Sequence, residues 1–181
     1  MTCVDFWRLT SRGVAAVLLL ASCSRAAEAP ALLATDFEQF QGWCPPNSSL
    51  TTEFAHSGRY AIRAGHDIDY SLTYSKPVGQ MAAKRFRRVR IRAWAYLSEE
   101  AAGDAILTVA LHDPSHDYQQ LFAVGTPLSE QVKTPRHWTA ITKEITFPAT
   151  MAPTNELRLF LWKASASSYA YVDDLRLEVL E

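Results

Sequence analysis

Six residues, His112-Asp113-Pro114-Ser115-His116-Asp117, gather two imidazoles and two carboxylates. Groups of that type hold a metal or trade protons as an acid–base pair. Pro114, however, marks a strand end, where polar side chains are solvated, so the cluster reads as the rim of a binding site. No G-x-S-x-G elbow, H-E-x-x-H pair, C-x-x-C pair or phosphate loop occurs in the chain. Paired carboxylates for glycoside hydrolysis need a fixed separation across a cleft, and no spacing here defines one. The expectation is a protein that is not an enzyme.

The stretch RVRIRAWAYLS, residues 88–98, offers different chemistry. With a period of two, Val89, Ile91, Ala93, Ala95 and Leu97 form an apolar face. Arg88, Arg90, Arg92, Trp94 and Tyr96 form the other. Trp and Tyr present large rigid surfaces with a polar tip, and Arg presents a planar fork of donors. Flat aromatics bordered by hydrogen-bonding groups suit a ligand with apolar faces and hydroxyl edges. Two readings stay open: Trp94 meets a ligand, or a loop covers it with arginine stems lying across its ring.

These residues need a scaffold that alternates its side chains. After the leader, no amphipathic helix of useful length appears; LSEEAAGD makes a single helical turn at most. Short alternating runs recur instead, at 59–64, 70–76, 88–97, 105–113, 120–125, 138–147, 156–164 and 169–180, with ATDFEQ pairing as an opening piece. Gly and Pro residues, as in Ser57-Gly58, Asp113-Pro114, Thr126-Pro127 and Ala152-Pro153, punctuate them. The pattern predicts an all-β protein, a jelly-roll β-sandwich of two antiparallel sheets. In 156–164, Leu157, Leu159 and Leu161 read as core, turning Arg158, Phe160 and Trp162 outward; Tyr118 and Gln120 share a side. The expected platform is Arg92, Trp94 and Tyr96, extended by Gln120 and Trp162, while one bulge would flip any of these registers. Trp138 is expected in the core, and Trp43 either packs or sits on a loop rim.

The first 22 residues read as an export signal. Arg8 and Arg12 precede an apolar run of only eight residues, Val14 to Ala21, far short of the roughly 20 that span a bilayer. Leu20-Ala21-Ser22-Cys23 resembles the lipobox of bacterial lipoproteins. That resemblance implies a signal peptide at 1–22, acyl chains such as palmitate carried on Cys23, and a tether over 23–35 leading to a domain at 36–181. Several acyl chains anchor firmly where one holds marginally. The expected location is a bacterial cell envelope, on the periplasmic side or cell surface. Removing Asp5, Arg8 and Arg12 with the leader takes the formal charge from −1 to −2, which argues against a nucleic-acid partner. Of the three cysteines, only Cys44 would stay a free thiol, so no internal disulfide is available.

The order of features resembles the galactose-binding-like β-sandwich modules, particularly carbohydrate-binding modules that accompany bacterial glycoside hydrolases. DFEQFQGW is followed by AHSGRYAIRAG and RVRIRAWAYLS, then by Trp138, LRLFLWKA and YVDDLRLEVL. The resemblance implies non-catalytic binding of an extracellular or envelope glycan. It also implies a structural calcium, with carboxylates from Glu38 and Asp173 and backbone carbonyls from His56 to Gly58, since calcium favours hard oxygen ligands. A structural or assembly lipoprotein that presents the same aromatic face to an envelope protein is the alternative, because Trp, Tyr and Arg are also favoured at protein hot spots.

Overall fold

The computed structural model describes residues 31–40, 42 and 49–180. The leader, Cys23, Trp43 and Cys44 lie outside the described residues. Among the described residues ten strands occur: β1 (Ala31–Thr35), β2 (Leu50–Thr51), β3 (Ala61–Ala64), β4 (Tyr74–Pro77), β5 (Arg88–Leu97), β6 (Ile106–Asp113), β7 (Gln119–Pro127), β8 (Thr139–Thr146), β9 (Glu156–Trp162) and β10 (Ala170–Val179). They form two antiparallel sheets, as the alternation predicts. One runs β2-β3-β10-β5-β8, with β1 also on β10; the other runs β4-β9-β6-β7. No helix among the described residues is long and apolar enough to cross a membrane.

Each strand reaches its sheet by burying one side of its pleat. Val89, Ile91, Ala93, Ala95 and Leu97 of β5 are all buried, as are Leu107, Val109 and Leu111 of β6 and Leu157, Leu159 and Leu161 of β9. These faces meet between the sheets in one core that also takes Leu175 and Leu177 of β10. Each leucine removed from water there contributes about 2 kcal/mol.

Two departures from simple alternation matter. Strict period two in β10 would set Asp173 beside Leu175 and Leu177. A bulge between Asp173 and Arg176, with Asp174 at φ 48°, breaks the parity instead. Tyr171, Asp173, Arg176 and Glu178 therefore face outward while the leucines stay inside. The second concerns the expected tether. Its last five residues, Ala31–Thr35, are strand β1, with Leu33 opposite Leu177 and Thr35 opposite Leu175. Leu32 and Leu33 pack against the core, which gives this segment a reason to pair that its composition alone did not reveal.

Register also gives the sandwich two distinct ends. Ala31 lies opposite Glu178, Val179 opposite Val89, and Arg88 opposite Thr146. That end continues into a groove of about 420 Å³ between the 78–87 and 148–153 segments. Trp162, opposite Ile106, closes β9 at the other end.

Candidate functional site

The outer face of the six-stranded sheet carries Arg88, Arg90, Arg92, Trp94 and Tyr96, yet its aromatic half is covered. The chain after β2 folds back over it. Phe54 stacks on Tyr96 at 4.8 Å between ring centroids and meets Tyr171 edge-on at 5.2 Å. His56 stacks on Trp94 at 3.8 Å, with planes 12° apart. Tyr96 is left only 8% exposed, so its expected place on an open platform is corrected: the loop supplies the surface that this ring meets. Trp94 is half-buried. Trp138, expected in the core, instead joins this outer cluster, 5.4 Å from Tyr96 and 5.7 Å from His56.

Two carboxylates hold the covering turn. Asp173 is wholly buried and accepts hydrogen bonds from the backbone N–H groups of His56 (2.8 Å), Ser57 (3.1 Å) and Asp174 (2.7 Å). Burial pushes its pKa above the usual carboxylate range, against the pull of those amides. Glu38 Oε1 accepts from Arg59 N (2.7 Å) and Tyr60 N (2.8 Å). Asp174 binds His56 Nδ1 and accepts a hydrogen bond from the Ser57 hydroxyl, both at 2.6 Å. Gly58 sits at φ +58°, where a Cβ would fall 2.5 Å from Glu38 Oε1, so a side chain there strains the backbone and displaces the Glu38 carboxylate.

The four residues named for calcium, Glu38, His56, Gly58 and Asp173, are thus brought to one turn. Their polarity does not fit the ion. A calcium ion needs six to eight converging oxygens, whereas four N–H groups of the turn, those of His56, Ser57, Arg59 and Tyr60, point at the two carboxylates. Among the described residues no cluster of three or more His, Cys, Asp or Glu side chains is placed to hold a metal.

Gln120 and Trp162 do not extend this face. They lie on β7 and β9, in the other sheet, and the core separates them from Arg92 and Trp94. The single platform expected from sequence is therefore two surfaces on opposite sides of the sandwich. Strand alternation set each outward side chain correctly, but sheet membership is decided by long-range pairing.

The outer face of the four-stranded sheet is the one with open aromatics. Trp162 is 38% exposed and Tyr70 56%; a bridge sets their backbones opposite each other. Their rings are 12° from parallel with centroids 6.4 Å apart, and Phe160 meets Tyr70 edge-on at 5.7 Å. Tyr70 had no distinguishing signal in sequence, because it falls just before β4 and its exposure depends on that bridge. Toward the opposite end of the sheet, Tyr118 is 49% exposed with the Arg158 guanidinium 4.9 Å from its ring centroid. Between the two aromatic groups the outward positions are small: Thr108 and Ala110 on β6, opposite Gly125 and Ala123 on β7. The centre of the face therefore lies low.

Polar groups border it. Arg158 Nε donates to Glu156 Oε1 at 2.7 Å, and the Ser75 hydroxyl and Arg158 hold the Glu156 carboxyl below its usual range. Gln120 lies opposite His112 across a bulge. Burial, then the charge of Arg158, lowers the His112 pKa. In the β6–β7 turn, Asp113 binds the Ser115 hydroxyl at 2.6 Å and His116 Nδ1 at 2.7 Å. Ser115 and then His116 hold that carboxyl low as well. The His112–Asp117 cluster lies at the edge of this face.

No protein-family model and no curated protein matches the chain. Solved structures do. A family 16 carbohydrate binding module aligns over 81% of this chain and 97% of its own, with a TM-score of 0.50 and 15% identity. Tandem family 22 modules from Paenibacillus barcinonensis align over 87% of this chain and 48% of theirs, with a TM-score of 0.55 and 18% identity. The C-terminal family 22 module of a Clostridium thermocellum protein aligns over 84% and 96%, with a TM-score of 0.53 and 13% identity. The chain has the two-sheet β-sandwich fold of these carbohydrate-binding modules.

Proposed function

We propose that this protein binds a glycan, without transforming it, on the outer face of its four-stranded sheet. The parallel, solvent-open pair of Tyr70 and Trp162 carries the reading. Sugar rings offer apolar faces edged by hydroxyls, and this pair offers flat area beside Phe160, with Gln120, Arg158 and Glu156 as hydrogen-bonding groups along the strands. Two family 22 structures of the same fold are described as xylan-binding domains, which favours a polysaccharide over a small metabolite. A glycosidase needs a carboxyl held protonated as general acid. Glu156 and Asp113, the carboxylates at this face with a resolved shift, are both pulled the other way.

The protein is further proposed to work at a bacterial membrane through acyl chains on Cys23. What supports this is the lipobox-like Leu20–Cys23 and the position of β1. Ala31 starts that strand at the end of the sandwich where Lys84, Arg85 and Arg87 are exposed. Trp162 closes β9 at the other end, so a glycan platform would point away from an anionic lipid surface drawn to those cations. Mass analysis of the mature N-terminus checks the anchor. A diacylglyceryl cysteine is expected, lost in Cys23→Ser together with membrane recovery.

A pull-down on a panel of insoluble polysaccharides, competed with soluble saccharide, tests the binding. Removing one well-placed aromatic should cost about 2 kcal/mol, roughly 30-fold in Kd. Trp162→Ala should therefore release the protein while Trp94→Ala retains it. Retention by a folded Trp162→Ala would reject the proposed face. Co-purification of an envelope protein with no saccharide competition would favour the assembly role instead.

A further inference from the structure

On the opposite side of the sandwich, beyond the covering loop, the outer face of the six-stranded sheet holds an open groove of about 790 Å³. Arg90, Arg92, Lys143 and Arg176 line it, together with Trp94 and Thr142. Its two lining carboxylates are already committed. Glu144 pairs with Arg88 and Arg90, both at 2.6 Å, and Asp174 is taken by His56 and Ser57.

Beneath lies Glu178, buried to 2% exposure, 2.9 Å from Arg176 Nε and 3.6 Å from Arg92 Nε. One buried carboxylate thus serves two guanidinium groups. Arg92 has no closer partner among the described residues, and its side chain is 53% exposed. Its contact to Glu178 runs through Nε, and Arg92 lines the groove. A guanidinium fork matches a carboxylate with two parallel hydrogen bonds. Trp94, two residues along the same strand face, is stacked on one side by His56 and also lines the groove. A cationic groove of this kind concentrates anions.

We propose that this groove is a second ligand site, taking the carboxylate of an acidic sugar on Arg92, with Trp94 flanking the sugar ring. It is separate from the neutral-glycan face and stands or falls independently of it. Carboxylate and fork would form the bidentate contact. Arg90 and Arg176 would supply the surrounding field, and Thr142 a neutral hydrogen-bonding group at the groove wall.

Calorimetric titration of the full chain with a galacturonic acid trimer, beside a neutral galactose trimer and inorganic sulfate, tests it. The acidic trimer should bind, more weakly as salt rises, and the neutral trimer should not bind at this groove. Arg92→Gln, checked for fold by circular dichroism, should weaken the acidic trimer by about tenfold or more. Arg92→Lys should recover part of that loss, since the charge remains without the fork. Trp162→Ala should leave this binding unchanged while abolishing neutral-polysaccharide retention, which separates failure of one site from failure of the other. Equal binding of the acidic trimer to Arg92→Gln, or no binding to the parent, would overturn the proposal. Sulfate binding as tightly as the trimer would overturn the assignment to a sugar.

Discussion

Replacing Asp173 asks whether a buried carboxylate, with no metal, holds the turn that hides Trp94 and Tyr96. Its two oxygens accept three backbone N–H donors, from His56, Ser57 and Asp174. Each buried donor left without a partner costs about 1–3 kcal/mol. Asp173→Ala orphans all three, and water reaching the opened turn recovers part of the loss, so about 3 kcal/mol is expected. Asp173→Asn is milder. Its carbonyl can keep the two donors that share Oδ2, while its NH2 group opposes the third, for a loss of about 1 kcal/mol. Urea unfolding followed by tryptophan emission reads both values. The sign of the pH dependence is fixed by the raised pKa of Asp173. A folded pKa above the unfolded value contributes stability that is fully present below the unfolded value and is lost as pH rises through the folded one. The parent's advantage over Asp173→Asn should therefore grow as pH falls through the raised folded value toward the ordinary 3.8. An Asp173→Ala protein as stable as its parent, with unchanged Trp94 emission, would refute the carboxylate clasp.

Two further outcomes follow from the same geometry. Calcium or a chelator should leave the melting temperature unchanged, because backbone N–H donors already occupy the Glu38 and Asp173 oxygens; a calcium-dependent rise would restore the metal implied by the family resemblance. Gly65→Ala should lower the melting temperature by roughly 4–8 °C, the equivalent of about 2 kcal/mol in a domain of this size. Gly65 sits at φ +134°, and a Cβ there would come 2.2 Å from the Ser168 carbonyl oxygen. A melting temperature equal to the parent's would show that the backbone yields at no cost.

Local alternation made much of the fold readable. The run 88–97 is strand β5 throughout, with its five apolar residues inside, and LRLFLW places its leucines inside and Trp162 outside. Those signals depend only on neighbours two residues apart. What stayed hidden is set by distant pairing. Nothing in residues 52–58 shows that Phe54 and His56 fold onto Tyr96 and Trp94, nor that β7 and β9 lie across the core from β5. Asp174, at positive φ, reverses the parity that VDDLRLEVL displays, and so gives Asp173 a partner turn in place of a core face. The same limit explains why Trp162 and Gln120 were joined to the wrong surface although each was correctly turned outward. Tyr70 was missed as a site residue because its exposure comes from a bridge to a residue 92 positions away.

The most direct test of the central claim follows the indole N–H signals of the full chain by NMR as a bound saccharide from the polysaccharide panel is added. The Trp162 signal, assigned by its loss in Trp162→Phe, should shift with saturable dependence on ligand while the Trp94 and Trp138 signals hold still. A neutral saccharide that moves Trp94 and leaves Trp162 unchanged would place the glycan on the six-stranded sheet and contradict the account.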